Sequence, residues 1–470
     1  MIKDLYTKTK CAVKIGDRRT DFFKFTKGVR QGCPLSPILF NLYVNDIFDM
    51  ANNGNVTDID LEGKKINALM YADDLILLSD TEEGLQTQIN KIENYCINWK
   101  LEVNIKKSKI MIFNRGNKLI KNDLRYKNVS LENVKRFKYL GLSISAKECS
   151  FSPTFDDLSL KANRAIFAIN NKHKISKIPK HLAIKLFYSL ISPILLYGSE
   201  VWGPYMNYDY TTWDESKIER VQTQFLKRIL GCNIRTSNIM TRGEVGARPL
   251  LLNVIKRVVG YTNSIKQRSS STVFTAFNFE SGNDLNPNFC KFLEKFDLNN
   301  ITIFGKSKTQ LTKICQDTYD RFWLNQINNS PKAITYVKFK TTINYEKYLD
   351  QVENIKHKTA LIRFRLSNHN LLIEKGRHMR PRLERNDRKC FNCAGKIEDE
   401  YHFTIECPLY NDDRILLFGC CNNFCMNFDA LTEEQKFIFL FTNENENINK
   451  MLARFVFQSL KMREAIISGI

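Results

Sequence analysis

The chain has 470 residues, of which 43% are hydrophobic and 26% are charged, and this composition excludes a largely disordered protein. Lysine and arginine number 71 against 50 acidic residues, so the net charge is +21. This excess favours a polyanionic partner, although a generally basic soluble protein has the same balance. The length predicts about two to four domains of roughly 150 residues each.

Two further classes of protein are disfavoured by the sequence. No stretch approaches the roughly 20 apolar residues of a membrane span, and the most apolar one, 186–197, contains two serines and a proline. We therefore expect a soluble chain without a membrane partner. The first residues lack the apolar core of a secretory signal, and most of the 13 cysteines are scattered singly. A reducing compartment, nucleus or cytoplasm, is expected.

Short apolar runs alternate with turns over residues 1–145 and predict a mixed sheet backed by helices. The predicted elements, in chain order, are a helix from 34 or 36 to 48, a hairpin of strands 68–72 and 75–79, a helix over 81–99, and strands at 109–114 and 139–145. Thr81 precedes the second helix and is placed to cap it.

Two adjacent carboxylates, Asp73 and Asp74, fall between the strands of that hairpin. Ionised side chains are costly in an apolar core, so we expect both to project from the hairpin tip toward a cleft. Carboxylate oxygens suit Mg²⁺, and a pair of such ions can activate a hydroxyl and steady a triphosphate. Aspartate is also a common turn residue, and the pair taken alone favours a plain hairpin.

Helical periodicity dominates from about 156 to 266, with the main predicted helices at 158–170, 181–197 and 217–230. The run 193–203 combines apolar residues with glycine, tyrosine and tryptophan, and we interpret it as packing. A basic face that could follow a duplex backbone comprises Lys185, Lys217, Arg220, Lys227 and Arg228. Serine and asparagine enrichment then suggests a flexible boundary over 267–309.

Four soft or borderline metal ligands stand close together in the last third of the chain. They are Cys390, Cys393, His402 and Cys407, in the spacing Cys-x2-Cys-x8-His-x4-Cys. This ligand set suits tetrahedral Zn²⁺, so we predict a structural zinc segment at 390–407, although Cys-x-x-Cys alone could be a redox pair. The spacing of the nearby Cys420, Cys421 and Cys425 is less convincing.

A basic segment precedes these cysteines and predicts contact with nucleic acid. The arginines assigned to that contact are Arg377, Arg380, Arg382, Arg385 and Arg388. His369 and His378 could bind metal, but a polar contact or a surface position is the preferred interpretation of each.

Four motifs carry a family resemblance: 28–37 (GVRQGCPLSP), 71–74 (YADD) about 40 residues later, 104–109 (NIKKSK) and 137–141 (FKYLG). In this order they resemble the reverse transcriptases of non-LTR retrotransposons, and residues 193–203 and 361–407 resemble the same family. The resemblance implies an α+β chain: a partial right-hand polymerase palm with a mixed sheet (1–145), a helical thumb-like domain (146–266), the flexible boundary (267–309) and a helical C-terminal region with its zinc segment (310–470).

The resemblance also implies an RNA-directed DNA polymerase that uses Mg²⁺ or Mn²⁺, with dNTP, element RNA and target DNA as partners. Asp73 would be a metal ligand and Asp74 a ligand or a close support. The other implied roles are nucleotide and template contact for Arg30, Gln31 and Gly32, triphosphate contact for Lys107, and primer grip for Leu140 and Gly141. A solvated basic surface is the alternative for Arg30 and Lys107, and a plain strand end for Leu140 and Gly141.

One departure from the family lies upstream. The family places another catalytic aspartate on a strand before the Gln-Gly loop, and none of Asp4, Asp17 and Asp21 fits that position. We therefore expect an N-terminally truncated chain that is inactive, or nearly so, on its own. The alternatives are a catalytically inactive nucleic-acid-binding remnant of such an element and a zinc-dependent interaction module that retains the polymerase portion.

Overall fold

The computed structural model describes residues 2–24, 28–47, 59–61, 63–113, 123–146, 151–268, 273, 275–276, 287–298, 303 and 305–469. The chain divides into two compact units, Met1–Lys135 and Arg136–Ile470. The division falls ten residues before the predicted end of the palm region at 145, and each unit has its own buried apolar clusters.

Helices and short strands alternate in the N-terminal unit. The helices are Ile2–Thr7, Ser36–Tyr43 and Glu82–Asn98. The strands are Lys10–Cys11, Lys14–Ile15, Arg18–Arg19, Phe23–Lys24, Ile59–Leu61, Lys64–Ile66, Ala68–Tyr71, Asp74–Leu77, Lys109–Ile110, Arg125–Tyr126, Val129–Ser130 and Glu132–Asn133. Among the described residues these strands form two-stranded sheets instead of the predicted mixed sheet, because each strand is two to four residues long and most pair with a neighbour close in sequence.

The helix Glu82–Asn98 organises the core of this unit and confirms the prediction for 81–99. The Thr81 hydroxyl accepts a hydrogen bond from the Gly84 N–H at 3.1 Å, as expected of an N-cap. Ile92, Tyr95 and Cys96 on this helix pack with apolar residues of the hairpin formed by Ala68–Tyr71 and Asp74–Leu77. A second cluster joins Ile89 to the strand residues Ile110 and Tyr126. The hairpin is thereby fixed on a buried support.

Two predicted elements of the N-terminal unit are shorter than expected. The helix predicted to reach 48 ends at Tyr43, since Val44 leaves the helical region with φ −106° and ψ 11° and the following residues, Asn45 and Asp46, have low helix propensity. Phe48 lies outside the described residues. The strand predicted at 109–114 spans Lys109–Ile110, and residue 114 also lies outside them.

Among its described residues, the C-terminal unit begins with one hairpin and continues with helices joined by loops and two isolated β-bridges. The hairpin strands are Arg136–Tyr139 and Leu142–Ser145. The α-helices are Ser152–His173, Lys180–Leu186, Ser192–Leu195, Ser199–Trp202, Lys217–Leu230, Asn238–Glu244, Leu251–Lys266, Pro287–Glu294, Lys308–Asn328, Tyr348–Gln351, Ile355–Arg365, Leu372–Lys375, Asn411–Phe424, Glu433–Thr442 and Glu446–Ser468. Short 3₁₀ segments at Ile175–Lys177, Gly203–Tyr205, Trp213–Glu215, Tyr336–Lys338, Arg385–Asp387 and Pro408–Tyr410 and π-helical turns at Phe187–Ile191 and His402–Glu406 connect them.

The helix predicted at 181–197 is interrupted by the π-helical turn Phe187–Ile191. The Ser192 N–H donates to the Phe187 carbonyl, five residues earlier, and the next residue, Pro193, has no N–H to continue an α-helical ladder. Within the described residues no single helix combines the length and the apolar composition that a membrane crossing requires. One bent pair, Lys180–Leu195 with Ser199–Tyr205, meets both criteria when its halves are taken together across a 61° bend.

One continuous core runs through the C-terminal unit from Phe155 to Val456. The predicted thumb-like and C-terminal regions are therefore parts of the same compact body. The described part of the segment predicted as a flexible boundary joins that core, since Phe289 and Phe292 on the helix Pro287–Glu294 are buried in it. The prediction of flexibility rested on the serine and asparagine enrichment of the whole segment, whereas these two phenylalanines pack into the core.

Candidate functional site

The hairpin that carries the two aspartates has its two-residue turn one position earlier than predicted. Tyr71 pairs directly with Asp74, so the two-residue turn is Ala72–Asp73 and Asp74 begins the second strand. Ala72 has a φ of 53°, a left-handed conformation that is uncommon for a residue with a side chain. Asp73 and Asp74 are both exposed. Within the described part of the chain neither carboxylate has a hydrogen-bond or ion-pair partner.

The Gln-Gly loop is an exposed turn that leads into the helix Ser36–Tyr43. The Ser36 hydroxyl donates to the Arg30 carbonyl at 2.5 Å, and the Cys33 N–H donates to the same carbonyl at 3.2 Å. Arg30, Gln31 and Gly32 are exposed. Gly32 has a φ of 84°, and a Cβ added there would have no atom within 4 Å. The loop therefore presents open backbone in a conformation that favours glycine.

The Lys107 side chain projects from a local turn. The Asn104 carboxamide oxygen accepts from the Lys107 N–H at 3.2 Å, and the Asn104 carbonyl accepts from the Ser108 hydroxyl at 3.0 Å. Lys107 is exposed, whereas Lys109 forms an ion pair with Glu132 at 2.6 Å. Of these two lysines, Lys107 is the one whose ammonium group remains available to an anionic ligand.

Leu140 and Gly141 form the turn of a hairpin, and not the part of a strand that was predicted over 139–145. Their φ values are 45° and 86°, and positive values at both central positions are what a type I′ hairpin turn requires. The hairpin is anchored on the helix Ser152–His173, where the Thr154 hydroxyl accepts from the Ser143 N–H and donates to the Ser143 carbonyl, each at 2.8 Å. It therefore belongs to the C-terminal unit.

The four predicted zinc ligands come together as one cluster. One potential ligand atom from each of Cys390, Cys393, His402 and Cys407 lies within 4.8 Å of the other three. The Cys393 and Cys407 sulfur atoms are 3.8 Å apart. Cys420, Cys421 and Cys425 do not join the cluster.

The surroundings of the cluster fit a zinc ion. His402 Nδ1 lies 2.9 Å from the Glu406 carboxylate, while the buried Nε2 has no hydrogen-bond partner among the described residues. A carboxylate on one imidazole nitrogen orients the other toward a metal. Burial raises the pKa of the Cys407 thiol to about 12, so a thiolate there requires a neighbouring cation. The pairing of His402 with Glu406 was not predicted, although their i, i+4 spacing is a usable signal.

The five arginines of the basic segment occupy different environments. Arg380 and Arg382 are exposed. Arg377 donates to Glu374 at 2.8 Å, and Arg385 lies 3.7 Å from Asp399. Arg388 is buried and donates to the carbonyls of Ile373 and Leu383. A nucleic-acid contact does not fit the position of Arg388, which holds the segment together from inside the fold.

Several other residues considered in the sequence analysis make structural contacts within the C-terminal unit. His369 Nε2 lies 2.9 Å from the buried carboxylate of Glu400, which fits the polar contact preferred for it. Trp202, in the run interpreted as packing, is fully buried. The proposed basic face is narrower than expected, since Lys227 is buried and donates to the Ile234 carbonyl at 2.7 Å, and Lys217 pairs with Asp156.

The N-terminal unit thus presents an exposed carboxylate pair on a hairpin, an open Gln-Gly loop and an exposed lysine on a turn. Residues 1–144 match the family profile described as reverse transcriptase (RNA-dependent DNA polymerase). This part of the chain is therefore similar to reverse transcriptases, and the relatives that share it come from retrotransposable elements.

Individual relatives agree with this assignment. The chain is 34% identical, over 36% of its length and 24% of the relative, to the retrovirus-related Pol polyprotein from type-1 retrotransposable element R2 of Popillia japonica. It is 24% identical, over 52% of its length, to the probable RNA-directed DNA polymerase from transposon BS of Drosophila melanogaster, of which it covers 26%. For the RNA-directed DNA polymerase from mobile element jockey of the same species, the identity is 25% over 47% of the chain and 23% of the relative. The chain spans about a quarter of the length of these relatives.

Proposed function

We propose that this chain acts in RNA-directed DNA synthesis, adding dNTP to a primer 3′-hydroxyl on an RNA template. The observation that carries the proposal is the position of Asp73 and Asp74, which are exposed side by side at a hairpin tip inside the segment that matches the family. Their oxygens fit Mg²⁺ or Mn²⁺ because no protein cation or donor in the described part of the chain engages them. Such an ion, when bound, would activate the primer hydroxyl and neutralise charge on the triphosphate.

The other predicted site residues would bind the nucleotide, the template and the primer. The open backbone at Gly32 leaves room for the incoming nucleotide and the template base, with Gln31 and Arg30 beside it. The ammonium group of Lys107 would meet the triphosphate and could protonate the leaving pyrophosphate. The Leu140–Gly141 turn would receive the primer, and element RNA and target DNA would be the nucleic-acid partners.

Replacing Asp73 tests this function. In a primer-extension assay with an RNA template, dNTP and Mg²⁺, the original chain should extend the primer slowly, and Asp73→Asn should reduce that synthesis by about a hundredfold or more, because the metal ion that Asp73 would hold supplies several kcal/mol of stabilisation to the developing charge. Asp80→Asn is the matched control, since Asp80 is also exposed and lies just beyond the hairpin. Synthesis by the Asp73→Asn protein at the rate of the original protein would contradict the proposed role.

A second function, nucleic-acid binding without catalysis, has one observation in its favour. Among the described residues, the Cys and His cluster is the only set of three or more potential metal ligands that comes together, so no third carboxylate joins Asp73 and Asp74. A complete absence of extension by the original protein, together with tight binding of a primer–template, would select this alternative.

The zinc segment and its basic neighbour would serve nucleic-acid binding under either function. The cluster Cys390, Cys393, His402 and Cys407 would hold Zn²⁺, and the contact itself would fall to Arg380 and Arg382, whose side chains are exposed. Cationic side chains beside phosphates release counterions when they bind, so their contribution is read from the salt dependence of affinity.

The salt dependence gives a specific prediction. The double variant Arg380→Gln/Arg382→Gln should bind duplex more weakly and lower the slope of log affinity against log salt concentration by roughly 1.8, or about 0.9 for each lost phosphate contact. Arg235→Gln is the control, because Arg235 is an exposed arginine outside the basic segment. Fluorescence anisotropy over a range of salt concentrations measures the slope, and equal slopes for the original protein and the double variant would contradict the assignment.

A further inference from the structure

The turn of the Leu140–Gly141 hairpin is held by a tyrosine far away in sequence. The Tyr197 hydroxyl donates to the Leu140 carbonyl at 2.8 Å. The ring of the same tyrosine covers Gly141 so closely that a Cβ there would lie 2.8 Å from Tyr197 Cε1. The hydroxyl and the ring of Tyr197 therefore each contact one of the two turn residues.

Tyr197 is itself fixed to the core of the C-terminal unit. Its carbonyl accepts a hydrogen bond from the indole N–H of the fully buried Trp202 at 2.9 Å. The next residue, Gly198, has a φ of 66°, and a Cβ there would lie 2.7 Å from a methyl group of Leu142. A series of close contacts therefore connects the core to the hairpin turn, and these contacts limit the movement of the turn.

The turn needs such support. Leu140 has a φ of 45°, and residues with a side chain adopt this left-handed conformation only where their surroundings hold them there. Leu140 is also partly exposed, at 39%, and Tyr197 is 49% exposed. One side of the assembly is therefore buried against the helical core, and the other side remains open to a ligand.

We propose that Tyr197 is a positioning residue that fixes the Leu140–Gly141 turn in the conformation that receives a primer 3′ end. The inference rests on the proposed function, because the ligand of the turn follows from it. It assigns a role to the run 193–203 beyond packing, because the Tyr197 hydroxyl donates its hydrogen bond to the Leu140 carbonyl in the turn. Phenylalanine at this position would keep the ring over Gly141 and lose the hydrogen bond to Leu140.

The test compares ends with duplex interiors. The full chain is titrated with two ligands: a DNA primer whose 3′ end is recessed on an RNA template, and a blunt duplex of equal length. The primer carries 2-aminopurine at its 3′ terminus. For Tyr197→Phe we expect the preference for the recessed end to fall roughly threefold to tenfold, the range for one lost hydrogen bond, while the melting temperature falls by no more than about 2–4 °C, the shift for a loss of about 1 kcal/mol. Tyr261→Phe is the matched control, since Tyr261 is exposed on a helix.

A double-variant cycle provides a second measurement of the same coupling. Gly141→Ala should weaken the preference for the recessed end because its Cβ meets the Tyr197 ring, and part of that loss should disappear in Gly141→Ala/Tyr197→Ala, where the ring is absent. Strictly additive effects would overturn the inference.

The outcomes separate the two proposals. If the original chain prefers the recessed end and Tyr197→Phe keeps the full preference, the positioning role of Tyr197 is wrong and the proposed function stands. If the original chain binds the recessed primer–template and the blunt duplex equally, the proposed function fails, and the inference fails with it. A fall of the melting temperature well beyond about 4 °C, together with a loss of the end preference in Tyr197→Phe, would show a general structural role and would also overturn the inference.

Discussion

Arg365→Met is expected to lower the free energy of unfolding of the C-terminal unit by about 3–5 kcal/mol, because removing one partner of a buried ion pair leaves the other charge uncompensated. Arg365 Nε lies 2.5 Å from the Glu244 carboxylate, and the two side chains are 2% and 0% exposed. The guanidinium also reaches Glu346 at 3.1 Å and the Phe441 carbonyl at 2.8 Å. Glu244 accepts further from the Tyr348 hydroxyl at 2.6 Å.

Urea unfolding followed by tryptophan fluorescence measures this loss, since three of the four tryptophans, Trp202, Trp213 and Trp323, are buried in the C-terminal unit. Arg363→Met is the matched control. Arg363 lies two residues earlier on the same helix, is exposed, and donates one hydrogen bond to the Gly231 carbonyl at 2.8 Å, so its replacement should cost about 1 kcal/mol. Adding Glu244→Gln to Arg365→Met should recover part of the loss. Equal losses for Arg363→Met and Arg365→Met would contradict the role of the buried pair.

Cys407→Ser is expected to abolish stoichiometric zinc binding and to lower the Tm of the C-terminal unit by roughly 10 °C or more, because binding to a structural zinc site contributes several kcal/mol to folding. The sulfur of Cys407 is fully buried within the cluster, and the Cys407 carbonyl accepts from the Arg414 guanidinium at 2.6 Å. Loss of the ion would therefore loosen the start of the helix Asn411–Phe424 as well as the cluster.

Cys421→Ser is the matched control for this prediction. Cys421 is equally buried but lies outside the cluster, so its replacement should cost some packing and leave the zinc content unchanged. Elemental analysis of the purified proteins gives the metal stoichiometry, and thermal unfolding with and without a chelator gives the Tm. Absence of zinc from the original protein, or an identical Tm after chelation, would refute the proposed site.

Local signals in the sequence were sufficient for part of the fold and of the site. The cap at Thr81 and the period of the apolar residues after it define the helix Glu82–Asn98. The spacing of Cys390, Cys393, His402 and Cys407 likewise predicts the cluster, because all four ligands lie on one short segment. Each of these features depends on residues that are near one another in the chain.

Features that depend on distant residues were not predicted. The Tyr197 hydroxyl meets the carbonyl of Leu140, 57 residues away, and Arg365 meets Glu244 across 121 residues; a sequence pattern contains no signal for either contact. Arg388 illustrates the same problem for charge. The adjacent Lys389 is exposed, yet the Arg388 side chain is buried and donates to the carbonyls of Ile373 and Leu383, and composition cannot distinguish the two environments.

The hairpin Arg136–Tyr139 and Leu142–Ser145 has a consequence for how such chains can be recombined. The family match ends at residue 144, but the hairpin is bound to the helix Ser152–His173 through Ser143 and Thr154. A chimera joined at 144 would therefore pair the hairpin of one parent with the supporting helix of another. Exchange after Lys135 keeps the hairpin with its own supporting helix. The segment that matches the family and the compact structural unit therefore end at different residues.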